Sequence, residues 1–306
     1  MNENPDDIVP ADNAVDGDVD QIDIPSDDEL NAILKDEGIE MEEKDFQDLK
    51  DAIPEMVRED SPELASYLEE LSPRLDEVLR TSAEKKTGGD ERGSVEVLVT
   101  FMEEEMKKLE SVPDEALRAQ VLSIMGDAVN FKQLSDDLKK YAKADVVSSA
   151  IDMIPVVGSA KITGEAALGK TASGQKLEGG KRAWHALTGV AFLALDVAGL
   201  GTAGATTAAS EAGRVAKGAA KATEVAMLTA KVGKVANLLA KSAKFGRASA
   251  SVAKFGNLIT KYPKLSHALL TMHKWKNNAK MVYRYGDKTM RARELAALHR
   301  EVEMGV

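Results

Sequence analysis

One stretch of the chain fits the pattern of a phosphate-binding loop. Residues 164–171 read GEAALGKT, with both glycines, the lysine and the threonine of G-x-x-x-x-G-K-[ST] in place. In such a loop the backbone N–H groups hold the phosphates, the lysine reaches the terminal phosphates and the hydroxyl binds Mg²⁺. The apolar run VAFLALD could pass for a buried strand that ends in the metal-binding acid, Asp196. The pattern therefore raises the question of nucleotide hydrolysis.

The residues around this stretch do not predict the strand and the helix that such a loop requires. The preceding IPVVGSAKIT contains Pro155 and Gly158, which are unfavourable in a central strand. The helix that would hold the phosphates would contain three glycines, at 174, 179 and 180, and each costs a helix about 1 kcal/mol. The sequence shows no set of parallel strands that the loop could join. We therefore expect neither a nucleotide cofactor nor hydrolysis.

The other reactive side chains are not spaced for catalysis or metal binding. The chain has no cysteine, which excludes disulfides, a thiolate nucleophile and a cysteine-ligated zinc site. Its four histidines, at 185, 267, 273 and 299, include no pair at i, i+3 or i, i+4, and no HExxH or G-x-S-x-G occurs. The many carboxylates of the N-terminal half follow solvated helix faces. We expect a non-enzymatic protein with no metal and no cofactor.

The charge of the chain is divided between its halves. Residues 1–145 contain 16 Lys and Arg and 41 Asp and Glu, a net charge of −25, whereas residues 146–306 contain 24 and 10, a net charge of +14, and the two sum to −11. Such asymmetry indicates that the halves attract each other or that the basic half binds an anionic partner.

Two groups of side chains in the basic half suit contact with anions. In one, basic residues are interleaved with aromatic ones: Lys274, Trp275, Lys276, Lys280, Tyr283, Arg284 and Tyr285. The other precedes an apolar helix: Lys170, Lys181, Arg182 and Trp184. This composition suits anionic lipid headgroups and, less well, single-stranded nucleic acid, and it also fits helices with partly buried rings. We expect an anionic membrane surface or a protein as partner, with nucleic acid less favoured and no small-molecule substrate.

The elements that must position these residues are all predicted to be helices. Residues 1–25 are acidic, contain three prolines and lack an apolar period, which predicts disorder. Ser26 opens SDDE, a capping box for a helix that ends near Asp36. Phe46, Leu49 and Ile53 then mark one face of the next helix.

Two serine–proline pairs follow in the acidic half. Ser61-Pro62 and Ser72-Pro73 each place a cap before a proline, which predicts two short helices with leucine faces. A loop is expected at 87–93, and helices at about 94–111 and 113–143.

The composition changes near Ala144, where acidic residues become rare and Ala, Gly and Lys dominate. Residues 146–169 and 181–209 are the most apolar, which predicts a helical hairpin. Pro155 and Gly158 should end or kink its first helix, and a glycine-rich basic loop at 169–180 should precede its second helix, at about 181–200. Such a hairpin is either the buried core of a soluble helical domain or a membrane-interacting element.

Residues 210–262 carry two apolar seams. The first seam steps by three and four residues: Val225, Leu228, Val232, Val235 and Leu239. The second contains Phe245, Val252, Phe255, Ile259 and Tyr262. Because the seams fall on different faces of a straight helix, we expect a bend or break near residues 242–246.

Residues 152–199 resemble the pre-toxin TG domain of bacterial secreted polymorphic toxins. The matching residues are the opening DMIPVVG at 152–158 with Ala160 and Lys161, the Gly169-Lys170 turn, a turn at 174–177, and Trp184 before an apolar helix. Ser173-Gly174 stands where the family has Thr-Gly. The resemblance implies a non-enzymatic helical module, placed between a delivery region and a toxin, with a role in export or processing.

The sequence thus predicts an all-α protein in four regions. They are a disordered acidic tail at 1–25, an acidic helical region at 26–145, an apolar, pre-toxin-TG-like hairpin at 146–210 and a basic helical region at 211–306. The N-terminus lacks the basic and apolar segments of a Sec-type signal, and a bacterial, exported or membrane-associated protein is expected. The leading function is a pre-toxin-like or membrane-interacting module in export, delivery or cell-surface interaction. The alternative is a soluble scaffold or nucleic-acid-binding protein whose acidic half masks its basic half; a nucleotide hydrolase ranks third.

The first prediction concerns GEAALGKT. Because the strand and helix of a phosphate-binding loop are not predicted around it, calorimetric titration should show no Mg-ATP or Mg-GTP binding tighter than about millimolar, a free energy of roughly −4 kcal/mol. Micromolar binding that Lys170→Ala abolishes would contradict this interpretation.

Overall fold

The computed structural model of the chain describes residues 26–113, 132, 135–136, 138–140, 142–152, 154–201 and 216–273. The fold is all-α, as predicted. The helices that these ranges contain are α1 (Asp27–Asp36), α2 (Glu43–Arg58), α3 (Pro62–Thr87), α4 (Glu91–Ser111), α5 (Ala144–Asp152), α6 (Val157–Leu168), α7 (Gly179–Gly201), α8 (Ala216–Ala240) and α9 (Gly246–Lys261). Residues 263–273 are also helical. The predicted disordered tail at 1–25, and most of the predicted helix at 113–143, lie outside the described residues.

The first two helices form as their caps and faces predict. The Ser26 side chain accepts the Glu29 N–H, and the Glu29 carboxylate accepts the Ser26 N–H at 2.8 Å, which completes the capping box of α1. In α2 the predicted face of Phe46, Leu49 and Ile53 is buried.

Residues 62–87 form one helix, α3, where two were predicted. Ser61 caps it by accepting the Leu64 N–H at 3.3 Å, but Pro73 lies inside the helix. One uninterrupted stripe of buried leucines explains the continuity: Leu64, Leu68, Leu71, Leu75 and Leu79. Burial of five such side chains, at about 1.5–3 kcal/mol each, outweighs the roughly 3 kcal/mol that an internal proline costs. The predicted second helix start at Ser72 is therefore wrong.

The turn between α3 and α4 is shorter than the predicted loop. Asp90 accepts the Gly93 N–H at 2.9 Å and caps α4, so that helical structure begins at Glu91. Only residues 88–90 connect the two helices, because the local cap forms inside the glycine-rich stretch.

The predicted break near Pro155 and the apolar hairpin are both present. α5 ends at Asp152, α6 begins at Val157, and a connecting segment at 169–178 leads to α7. α7 packs against α6 on one side and against α1, α2 and α8 on others, and Leu187, Val190 and Leu193 are buried. In the described part of the chain no helix combines the length and the apolar character needed to cross a bilayer.

The predicted bend in the basic region is a short 3₁₀ turn, Ala243–Phe245. It separates α8 from α9, and the two helices pack against each other as an antiparallel pair. Leu228, Val232 and Leu239 of the first seam are buried, as are Val252 and Phe255 of the second. The break allows both seams to face the same core.

One hydrophobic cluster joins the helical regions that the sequence distinguishes. It includes Leu49 of α2, Leu193 of α7 and Phe255 of α9. The hairpin α6–α7 lies in the middle of this cluster, because the acidic helices α2 and α3 and the basic helix α8 all contact it.

Leu193→Asp tests the buried position of α7. Leu193 is 1% exposed, so an unpaired carboxylate there should destabilise the protein by several kcal/mol in urea unfolding. Met227→Asp is the matched control, since Met227 is 49% exposed and its replacement should change stability by less than about 0.5 kcal/mol. Equal effects of the two substitutions would contradict the described packing.

Candidate functional site

The candidate site is the surface where acidic helices lie on basic ones. We call residues 26–60 the acidic cover and residues 216–261 the basic hairpin. The acidic cover contains 14 Asp and Glu and 4 Lys and Arg, a net charge of −10. The basic hairpin contains 1 and 9, a net charge of +8. α2 contacts α8, the 3₁₀ turn and α9.

The acidic cover and the basic hairpin are joined by a set of ion pairs in antiparallel order, which we call the ion ladder. Its pairs are Glu37–Lys261, Glu42–Arg247, Asp51–Lys244, Glu59–Lys241 and Asp60–Lys234. Apart from the Glu37 pair, the nitrogen–oxygen distances are 2.6–3.2 Å. Lys254 adds a hydrogen bond to the Gly38 carbonyl. As the acidic residue number rises, the basic residue number falls, so one segment of chain is laid along the other in a single register.

The basic side of the ion ladder has a spacing that the sequence prediction missed. Lys234 and Lys241 are seven residues apart, and so are Arg247, Lys254 and Lys261 in turn. Seven residues are about two helical turns, so each set returns to one helix face. This heptad spacing of cations on both sides of the predicted break was the sequence signal for the basic side of the ion ladder.

Individual rungs of the ion ladder are weak, and their sum is sensitive to salt. Most of the paired side chains are about half exposed, and exposed pairs contribute about 0–1 kcal/mol each. Two carboxylates are less exposed, since Asp45, which lies 3.2 Å from Arg247, is 2% exposed and Glu37 is 17% exposed. A hydrogen bond from Arg247 lowers the pKa of Glu42, and one from Arg182 lowers the pKa of Glu43. The acidic cover is thus held by many small attractions.

Arg182, a predicted anion contact, is engaged within the molecule. Its guanidinium binds both carboxylate oxygens of Glu43 at 2.7 and 2.8 Å and lies 4.3 Å from the Phe46 ring centre. It also donates to the carbonyls of Ala166 and Ala167, the last turn of α6. Arg182 therefore ties the acidic cover to the apolar hairpin.

The other predicted contact residues are dispersed. Trp184 is buried and packs edge-on against Phe255, with ring centres 5.6 Å apart. Lys181 lies 4.0 Å from Asp27, and Lys170 is exposed on the connecting segment. The second predicted group lies outside the described residues: Lys274, Trp275, Lys276, Lys280 and Arg284. The structure thus does not gather the first group into one patch.

The GEAALGKT stretch forms the end of a helix and the turn after it. Gly164 lies within α6, and Gly169 ends that helix in the left-handed region at φ +69°. The Thr171 hydroxyl accepts the Gln175 N–H at 3.0 Å. A helix C-terminus presents carbonyl oxygens, whereas phosphates bind the N–H groups of a helix N-terminus. The local geometry differs from that of a phosphate-binding loop.

A second cluster of charges lies inside the hairpin. The Lys161 ammonium, 1% exposed, lies 2.8 Å from Asp152 and 2.9 Å from Glu165. Glu165 also accepts the Ala172 N–H at 2.7 Å and contacts His185 Nε2 at 3.0 Å. Burial raises the pKa of Glu165, but the attraction of Lys161 and the bond with His185 outweigh it and lower that pKa to about 2.

This buried cluster is chemically saturated. Each oxygen of Glu165 has a partner, and the Lys161 ammonium is shared between two carboxylates. Across the residues with described positions, no three His, Asp or Glu side chains are grouped as a metal site would need. The cluster links α6 to α5 through Asp152, to the connecting segment through Ala172 and to α7 through His185.

No family model, curated protein or solved structure matches the chain. The resemblance to the pre-toxin TG domain stays a prediction.

Lys161→Met tests the buried cluster. Removing the ammonium leaves the buried Glu165 and the partly exposed Asp152 without their cation, so urea unfolding at pH 7 should show a loss of about 3–5 kcal/mol. Lys176→Met is the control, because its pair with Glu178 is exposed and should contribute under about 1 kcal/mol.

The stabilisation that Glu165 gives through this cluster depends on pH with a defined sign. The folded pKa of Glu165 lies below the unfolded value of about 4.3. Its contribution to the free energy of unfolding is therefore complete above about pH 4.3 and is lost as the pH falls toward 2. The difference between the wild type and Lys161→Met should therefore be smaller at pH 3 than at pH 7. An unchanged or larger difference would contradict the assigned pairing.

Proposed function

We propose that the chain is a non-enzymatic helical module, acting in export, delivery or cell-surface interaction, that binds an anionic membrane surface with its basic hairpin. In the described conformation the acidic cover occupies that surface. The ion ladder is the observation that carries the proposal. In it, one continuous acidic segment contacts six cations of the basic hairpin. An anionic partner would contact the same cations.

Apolar side chains near the cations favour a membrane over a nucleic acid. Val235, Leu239 and Phe245 lie in the same stretch as Lys234, Lys241 and Lys244 and are buried in the folded chain. Cations beside apolar side chains are typical of helices that bind at the surface of an anionic bilayer. Binding of single-stranded nucleic acid relies on stacked aromatic rings, and the whole chain has only 13 aromatic residues, 2 Trp, 5 Tyr and 6 Phe.

The export or delivery context rests on the resemblance of residues 152–199 to the pre-toxin TG domain. A second candidate function rests on the same ion ladder. A soluble scaffold, or a nucleic-acid-binding protein, would use the acidic cover to mask its basic half in the same way.

Vesicle flotation of the full chain tests the proposal with two variants of equal charge. The open variant replaces five ladder acids by amides: E37Q, E42Q, D51N, E59Q and D60N. The control variant neutralises five exposed acids outside the ladder: E63Q, E84Q, E96Q, E104Q and E110Q. Each cation near an anionic surface contributes about 1 kcal/mol. If only two or three cations are released from the acidic cover, the open variant should bind phosphatidylglycerol vesicles more than about tenfold more tightly at low salt. The control variant should change little.

The alternatives give different results in the same experiment. Tighter binding of the open variant to DNA than to vesicles would favour the nucleic-acid function. Equal vesicle binding by the open and control variants would contradict the proposal, since binding would then follow net charge rather than the uncovered surface.

A further inference from the structure

The turn between α5 and α6 holds a backbone conformation that is rare for its residue type. Val156 has φ 68° and ψ −49°, and the Val157 N–H donates to the Pro155 carbonyl at 2.7 Å. These dihedrals and this hydrogen bond define the form of γ-turn that is rare and strained. A β-branched residue at positive φ is an outlier, and Val156 is fully buried as well. The conformation must therefore be held by its surroundings.

A carboxylate from α7 provides that hold. Asp196, 5% exposed, accepts the Val156 N–H at 2.9 Å and the Ser159 hydroxyl at 2.8 Å with one oxygen. Its other oxygen lies 3.3 Å from His273 Nε2. Val156 is the N-cap residue of α6, and its side chain makes no capping hydrogen bond. Asp196 of α7 therefore supplies the acceptor that a helix N-terminus needs.

Pro155 alone does not require this turn. α2 and α3 continue through Pro54 and Pro73, so the chain accommodates proline inside helices where packing favours it. The turn is also tight, because a Cβ on Gly158 would lie 2.1 Å from the Asp152 carbonyl oxygen. If the turn at residues 154–156 took helical dihedrals instead, α5 and α6 could join into one helix from Ala144 to Leu168.

We propose that Asp196 is a latch that holds the strained turn, and that its release joins α5 and α6 into one helix and separates α6 from α7. This conformational device is independent of the membrane-binding proposal, because it concerns the inside of the hairpin rather than the basic surface. The strain at Val156 favours opening, and the two hydrogen bonds to Asp196 oppose it.

The strain is tested by comparing alanine with glycine at two buried valines. Val147 is fully buried like Val156 but lies within α5, so it controls for the loss of the side chain. At residue 156, V156G should melt a few degrees higher than V156A, because glycine alone adopts positive φ without strain. At residue 147 the order should be reversed, because alanine is the better helix former. The same order at both residues would overturn the proposal.

The latch is tested by a distance measurement between spin labels. The chain has no cysteine, and Lys143 and Lys170 are exposed near the two ends of α5–α6, so K143C and K170C give unique labels. A continuous helix would place them about 40 Å apart at 1.5 Å per residue. The latched protein should give one clearly shorter distance, and D196N should add a population near the longer one. Detection of only the shorter distance in D196N would overturn the proposal.

A third variant separates release of the latch from unfolding. V156G relieves the strain, so D196N combined with V156G should show less of the long distance than D196N alone. It should also fold if D196N by itself does not. If V156G leaves the effect of D196N on both folding and distance unchanged, Asp196 does not act through the turn and the proposal fails.

Discussion

Opposite charges of the acidic cover and the basic hairpin meet along the ion ladder, where α2 lies on α8 and α9. The 35 residues of the acidic cover have a net charge of −10 near one end of the described chain, and the basic hairpin, with a net charge of +8, lies near the other end. α2 lies across the 3₁₀ turn and both helices of the basic hairpin. That position also buries Phe46 and brings Glu43 to Arg182, which lies at the junction of α6 and α7. The position of the central hairpin is therefore coupled to a surface interaction.

Charges inside the hairpin serve a different purpose from those on its surface. Lys161, Glu165 and Asp196 are almost fully buried, and each is satisfied by groups on another helix or turn. Such buried ionic groups contribute little net stability, but a misregistered packing would leave them unpaired. In a hairpin built largely of Ala, Gly and Val, whose small side chains specify packing weakly, we infer that these groups select one register of α6 against α7.

Local signals in the sequence predicted most of the fold. The capping box at Ser26, the proline after Ser61 and the change of apolar seam near residue 243 each depend on neighbouring residues, and each is present in the structure. The continuity of α3 through Pro73 was not predictable in this way, because it depends on burial of the leucine stripe against other helices. Arg182 and Trp184 looked like surface anchors for the same reason, since their partners Glu43 and Phe255 are far away in sequence. The pairing of the ion ladder likewise needs the tertiary arrangement, although the heptad spacing of its cations was visible.

The most direct test of the account is a charge exchange at one rung of the ion ladder, read by amide hydrogen exchange over α2. Glu59→Lys places two cations at the rung with Lys241 and should speed exchange in residues 43–58, most at low salt where repulsion is least screened. Adding Lys241→Glu restores opposite charges in reversed order and should return exchange close to that of the wild type. If the double variant exchanges as fast as the single one, the ion ladder does not hold the acidic cover on the basic hairpin.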